Sequence, residues 1–126
     1  MEQSQIREYT VQARSTDTFG RVLCSCRNHH FIVDGPIQNG CPGEAITPAE
    51  LFLSGVASCG VELLQVVARE QNVPLEGVKV NIWGIIDRNH PVRSDVTLFN
   101  KVRLSFQLKG VNEGEGAKLI ETFKGR

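Results

Sequence analysis

One segment dominates what this chain can fold into. Thr47-Pro48-Ala49-Glu50 opens a stretch that stays apolar on most sides as far as Leu64 and meets no breaker before Pro74. Threonine is a good N-cap, proline is tolerated at the first helical position, and a glutamate three residues after the cap can return a hydrogen bond to it. The pattern predicts a helix from Pro48 to about Gln71. A helix apolar nearly all round is expected to be buried at the centre of its fold. Ser54, Gly55, Ala57, Ser58 and Gly60 are small enough to admit a second backbone, in a tight helix crossing or as room beside a ligand.

The remainder reads as strands gathered in runs. Tyr9, Val11 and Ala13 alternate with polar residues, and Val22, Cys24 and Cys26 share one face of a second strand. Phe31-Ile32-Val33 makes a third, ended by Asp34-Gly35-Pro36. Residues 37–46, with Asn39-Gly40, Pro42 and Gly43, read as a loop leading to the helix. Val78, Val80 and Ile82 mark a fourth strand, and Val102, Leu104, Phe106 and Leu108 a fifth. A turn is expected over Gly110–Gly116, then an amphipathic helix from Ala117 to Lys124 with Ala117, Ile120 and Phe123 inward. The order β-β-β-α-β-β-α indicates an α+β fold with mostly antiparallel sheet. At 126 residues, 1–126 is read as one domain.

Fourteen basic residues balance fourteen acidic ones, which argues against a dedicated nucleic-acid binder and gives no reason to expect an anionic membrane surface as partner. The run Leu51–Leu64 is interrupted by Ser54, Ser58 and Glu62 and is shorter than a membrane span, and Met1–Thr10 lacks the features of a signal peptide. The expected location is cytoplasmic. There the four cysteines, Cys24, Cys26, Cys41 and Cys59, are expected as reduced thiols, a metal site or a redox site.

Cys59 lies midway along the predicted helix. Free cysteine often serves simply as a small hydrophobe. A reactive one must become a thiolate, and three turns into a helix the dipole gives little help, so a cation would have to come from elsewhere in the fold or from a second subunit. Glu62, one turn on, is read as a solvated or ion-paired residue. Cys24, Cys26, His29 and His30 form a tight cluster, but Cys-x-Cys lacks the usual zinc spacing, and two core cysteines with two surface or turn histidines is the simpler reading. Motifs for phosphate binding, serine hydrolysis and zinc proteolysis are absent.

The stretch from Thr47 through Ser54-Gly55-Val56-Ala57-Ser58-Cys59 resembles the central helix of the OsmC/Ohr family. Val73-Pro74-Leu75-Glu76-Gly77-Val78-Lys79-Val80 resembles that family's entry into its next strand. Arg27-Asn28-His29-His30-Phe31-Ile32-Val33-Asp34-Gly35-Pro36 resembles the lead-in of its OsmC-like branch. The likeness covers about residues 20–124. It implies an intertwined homodimer with active sites at the subunit interface. The implied activity is thiol-dependent reduction of organic hydroperoxides, serving oxidative-stress defence. Cys59 matches the peroxidatic position, Glu50 the glutamate near the helix start, and Arg27, ahead of Arg21, the activating arginine. A dithiol is the implied reductant, and neither cofactor nor metal is implied.

Two departures accompany the likeness. Nine residues separate Glu50 from Cys59, roughly opposite sides of a straight helix at about 100° per residue, so capping is the firmer role for Glu50. The family's resolving cysteine follows a stretch like Ile120–Arg126, whereas no cysteine follows Cys59 here, making the chain short relative to the family. Truncation, another resolver among Cys24, Cys26 and Cys41, or no disulfide at all remain open. The alternative is a non-enzymatic OsmC-like dimer binding an apolar small molecule at its interface.

Overall fold

The computed structural model describes residues 5–125. The architecture is α+β in the expected order: β1 (Gln12–Ser15), β2 (Arg21–Cys26), β3 (His29–Asp34), α1 (Pro48–Glu70), β4 (Gly77–Ile85), β5 (Lys101–Lys109) and α2 (Glu113–Lys124). It divides into two compact units, one reaching as far as Leu51 and the other beginning at Phe52.

The first unit is an antiparallel sheet in the order β1-β2-β3. The first strand is shorter than its alternation suggested. Pairing begins at Gln12↔Ser25, and β2 ends one residue later in the hairpin turn, so Tyr9 and Thr10 have no ladder to join. Period-two patterning selects a face, but only a partner makes a strand. In contrast, β3 starts earlier than the apolar run and takes in both histidines: Cys26↔His29 and Ser25↔His30 are direct pairs. His29 and His30 are therefore strand residues pointing to opposite faces, not turn residues.

The second unit is built around the C-terminal half of α1. Leu64, Val67 and Ala68 pack with Leu119 of α2, and Val73, Leu75, Val78, Phe106, Leu108 and Phe123 close round them. The two strands form an antiparallel hairpin in register from Gly77↔Lys109 to Ile85↔Lys101. The helix ends as its sequence suggests. Asn72 takes a left-handed conformation (φ 55°), and the Val73 N–H reaches back to Ala68 O at 2.8 Å, a Schellman-type stop that carries Val73 into the core.

Three expectations for the helices need correction. Burial of α1 is confined to Gly60, Leu64, Val67 and Ala68, and its N-terminal half is open, with Phe52 58% exposed. By length and composition alone, α1 would also reach across a bilayer, because helix geometry carries the apolar stretch through Ser54, Ser58 and Glu62. α2 begins at Glu113, inside the expected turn. Asn112 and Glu115 form a reciprocal capping box, which fixes the start four residues early and makes Gly116 and Leu119, not Ala117, the buried positions.

Candidate functional site

Thr47 caps α1 as its sequence signalled. Glu50 accepts hydrogen bonds from the Thr47 N–H (3.0 Å) and hydroxyl (2.8 Å), and the Glu50 N–H donates to Thr47 Oγ1 at 3.4 Å. The Thr47 N–H and then its hydroxyl favour the charged carboxylate, lowering the Glu50 pKa below its ordinary value. Cys59 sits three turns further along the same helix, with its thiol exposed to solvent. Gly60, beside it in sequence, faces the other way. A Cβ there would lie 3.6–3.7 Å from the rings of Phe123 and Phe106, ordinary contact distance, so this face of α1 packs toward α2 and β5 with room for a methyl group. Glu62 is exposed, as expected. It helps to line a cavity of about 630 Å³ with Gln65, Val66, Arg69, Val73 and Leu75.

The two candidate arginines have different surroundings. Arg27 occupies the first position of the β2–β3 turn with left-handed backbone (φ 50°) and is exposed. Arg21, at the start of β2, grips Asp34 at the end of β3: Nε lies 2.8 Å from Oδ1 and Nη2 2.9 Å from Oδ2. A third contact runs from Nη2 to Glu44 at 2.9 Å. Asp34 is fully buried and also accepts from the N–H groups of Glu44 (3.0 Å) and Ala45 (2.9 Å). Arg21, then the two backbone donors, hold its pKa well below the usual carboxylate range against the opposing cost of burial. The same contacts, Asp34 first, raise the Arg21 pKa further.

This clamp was not apparent in the sequence, where Asp34 reads simply as the first residue of a turn. Its signal was an acidic residue ending an apolar strand two positions before a proline. The clamp fixes the loop from Gly35 to Ile46. The Asp34 N–H donates to Ile46 O at 3.0 Å, placing the residue before the Thr47 cap. Cys41 is folded back within this loop, so close that a Cβ on Gly20 or Gly35 would meet its Sγ at 2.5 Å. Gly20 also needs its positive φ of 79°.

Cys24, Cys26, His29 and His30 do not converge. Cys24 is buried, His29 shares its face with the two cysteines, and His30 turns to the opposite face, where its Nδ1 is 2.9 Å from Ser25 Oγ. Among the described residues no group of three or more histidine, cysteine or acidic side chains is arranged to hold a metal ion.

The exposed cysteine on a long capped helix lies in the region that comparison with known proteins picks out. The family described as OsmC-like protein matches residues 41–125. The chain belongs to the OsmC-like family. No curated protein matches it. Among solved structures, an OsmC-like protein from Mycoplasma pneumoniae superposes with a TM-score of 0.80 at 16% identity, covering 95% of this chain and 82% of that one. An organic hydroperoxide resistance protein OsmC from Legionella pneumophila gives 0.71 at 21% identity, covering 95% and 84%. An organic hydroperoxide resistance protein from Elizabethkingia anophelis gives 0.76 at 18% identity, covering 96% and 84%. The α+β arrangement, with its long central helix, is thus the OsmC-like fold.

Proposed function

We propose that the protein reduces organic hydroperoxides with Cys59 as the peroxidatic thiol, at the expense of a dithiol. The observation that carries this reading is the position of Cys59: a solvent-exposed thiol midway along α1, inside the segment matching the OsmC-like family. Names of structural relatives from Legionella pneumophila and Elizabethkingia anophelis, both organic hydroperoxide resistance proteins, supply the substrate class.

In the proposed cycle the Cys59 thiolate attacks the distal peroxide oxygen. The O–O bond breaks, the alkoxide leaves as the alcohol after taking a proton, and Cys59 becomes a sulfenic acid. One thiol of the reductant then attacks the Cys59 sulfur and displaces water. The second closes the reductant's own disulfide and frees Cys59. Two electrons pass from dithiol to peroxide, and no other cofactor is needed. Arg27 is assigned to stabilise the thiolate, because Arg21 is already engaged by Asp34 and Glu44. Glu50 is assigned to hold that arginine. A homodimer in the cytoplasm is the expected working form.

The test is consumption of cumene hydroperoxide with dithiothreitol as reductant. Cys59→Ser is expected to fall to the uncatalysed rate, while Cys24→Ser, Cys26→Ser and Cys41→Ser each retain turnover. A Cys59→Ser protein as fast as its parent would end the proposal.

A further inference from the structure

The outward face of the β4–β5 hairpin carries a charge pattern that peroxide chemistry does not use. Strand alternation places Lys79, Asn81, Trp83 and Ile85 of β4 on this face. Their partners on β5 are Gln107, Ser105, Arg103 and Lys101, and Lys109 stands opposite Gly77 at the end of the ladder. All of these side-chain-bearing residues are exposed. Four of them are cationic and none is acidic. The neighbouring acidic residues in sequence, Glu76 and Asp87, lie beyond the ends of β4. Lys79, Lys101, Arg103 and Lys109 form no ion pair with an acidic side chain among the described residues.

The cations fall into two groups. Lys101 and Arg103 lie at the Trp83 end of the ladder, opposite Ile85 and Trp83, and the Arg103 guanidinium lies 5.5 Å from the centroid of the Trp83 ring. Lys79 and Lys109 are diagonal neighbours at the other end, and the Lys109 stem lies 3.8 Å from where a Cβ on Gly77 would stand. Four residues separate Arg103 from the row of Lys79, about 13 Å at the rise of a strand. Asn81, Ser105 and Gln107 lie between, offering uncharged hydrogen-bonding groups. A chain with net charge zero has thus concentrated four positive charges on one sheet face that also carries an exposed tryptophan, and tryptophan and arginine are residue types enriched at interface hot spots.

We infer that this face docks an acidic segment of a protein partner, with carboxylates meeting the Lys101–Arg103 and Lys79–Lys109 groups and the Trp83–Arg103 stack at the contact. Charge complementarity selects the partner. Single-stranded nucleic acid fits less well, because such surfaces present bare aromatic faces to successive bases, whereas this face has one aromatic ring and Arg103 already lies over it.

Trp83 is the only tryptophan in the chain, so its fluorescence reports on this face alone. The experiment titrates the full-length protein with a synthetic peptide of alternating glutamate and serine, a matched lysine–serine peptide, and oligothymidylate of equal charge. The glutamate peptide is expected to shift Trp83 emission saturably, and its affinity to fall about tenfold or more between 50 and 300 mM salt. The lysine peptide is expected to leave the emission unchanged. By anisotropy of labelled glutamate peptide, K79Q and K109Q should each weaken binding about two- to fivefold. Glu113→Gln, on α2, should leave it unchanged. Circular dichroism matching the parent shows that each variant is folded. No binding of the glutamate peptide at low salt, equal binding by the doubly substituted K79Q/K109Q protein, or tighter binding of oligothymidylate would each overturn the inference.

Discussion

Arg21 and Asp34 face each other across neighbouring strands, paired through two hydrogen bonds of 2.8 and 2.9 Å, with the carboxylate wholly enclosed. They are direct partners in the β2–β3 register, so the sheet itself sets their geometry. From this one pair, contacts continue to Glu44, to the amides of Glu44 and Ala45, and to Ile46, the last residue before the helix cap. A planar guanidinium holding both carboxylate oxygens gives directional as well as electrostatic strength.

Removing one member of the pair should therefore cost far more than an ordinary surface charge. Arg21→Ala leaves a buried carboxylate without its principal partner, the circumstance in which breaking an ion pair is most damaging. We expect the thermal midpoint to fall by about 10 °C or more. Arg21→Lys should rescue only part of this, since an ammonium cannot reproduce the two-point contact. Calorimetry on the three proteins decides the matter; an unaltered midpoint in Arg21→Ala would show that the clamp adds nothing to stability.

The same pair fixes the sign of an acid response. The Asp34 pKa is depressed in the folded protein, below about 3.9 for an unfolded aspartate. In the interval between those values the unfolded chain binds more protons, so stability rises with pH there. The contribution is fully present above the unfolded pKa and is lost as pH falls through the folded one. Urea midpoints measured from pH 6 down to pH 2 should fall toward the acid end. Asp34→Asn should start lower at pH 6 and show a shallower acid limb.

Two glycines of the second unit should respond in opposite directions to the same methyl group. At Gly60 a Cβ meets the Phe123 and Phe106 rings at ordinary contact distance. Gly60→Ala should stabilise by about 0.5–1 kcal/mol through helix propensity. At Gly84 a Cβ would lie 2.8 Å from the Phe99 ring, which is itself stacked on Phe52 at 5.6 Å. Gly84→Ala should destabilise by about 1–3 kcal/mol as that stack is displaced. Urea unfolding of both variants provides the comparison, and like signs would contradict the packing described.

The cysteines should separate by accessibility. Cys59 is exposed, Cys26 and Cys41 are intermediate, and Cys24 is buried. With a chromogenic disulfide reagent under native conditions, Cys59 should react first and Cys24 only on unfolding. Cys59→Ser should remove the fastest phase and leave thermal stability within about 0.5 kcal/mol of the parent, as expected for an exposed site. Loss of a slow phase instead would place Cys59 in a protected setting.

The long helix, the five strands and their order were legible because each rests on local signals: the Thr47–Glu50 cap, the alternation in β4 and β5, the break at Pro74. What escaped the sequence depends on partners distant along the chain. The extent of β1 follows from where β2 runs out, which no pattern in residues 9–11 records. Asp34 looks like a turn residue until the register brings Arg21 opposite it. The open N-terminal half of α1 was equally hidden, since an apolar stretch announces that something should cover it and not what does. The exposure of Cys59 was not legible either, since neither spacing nor periodicity distinguishes it from a core thiol.

The start of α2 rests on a local signal, the Asn112–Glu115 box, set among glycines that favour a turn. Gly114 and Gly116 suggest a turn, yet Asn112 Oδ1 accepts from the Glu115 N–H at 2.8 Å, and the Glu115 carboxylate accepts from the Asn112 N–H at 3.1 Å. Two glycines cost this helix about 1 kcal/mol each relative to alanine. The cap offsets part of that cost at the end where Leu119 must be held in the core. Asn112→Ala should therefore destabilise by about 1 kcal/mol. Glu115→Gln should cost less, because glutamine can complete the same box. Amide exchange distinguishes this from a general loss of stability: protection should fall first at residues 115–118, ahead of the α1 amides around Leu64. Uniform loss across both helices would show that the cap does not act locally.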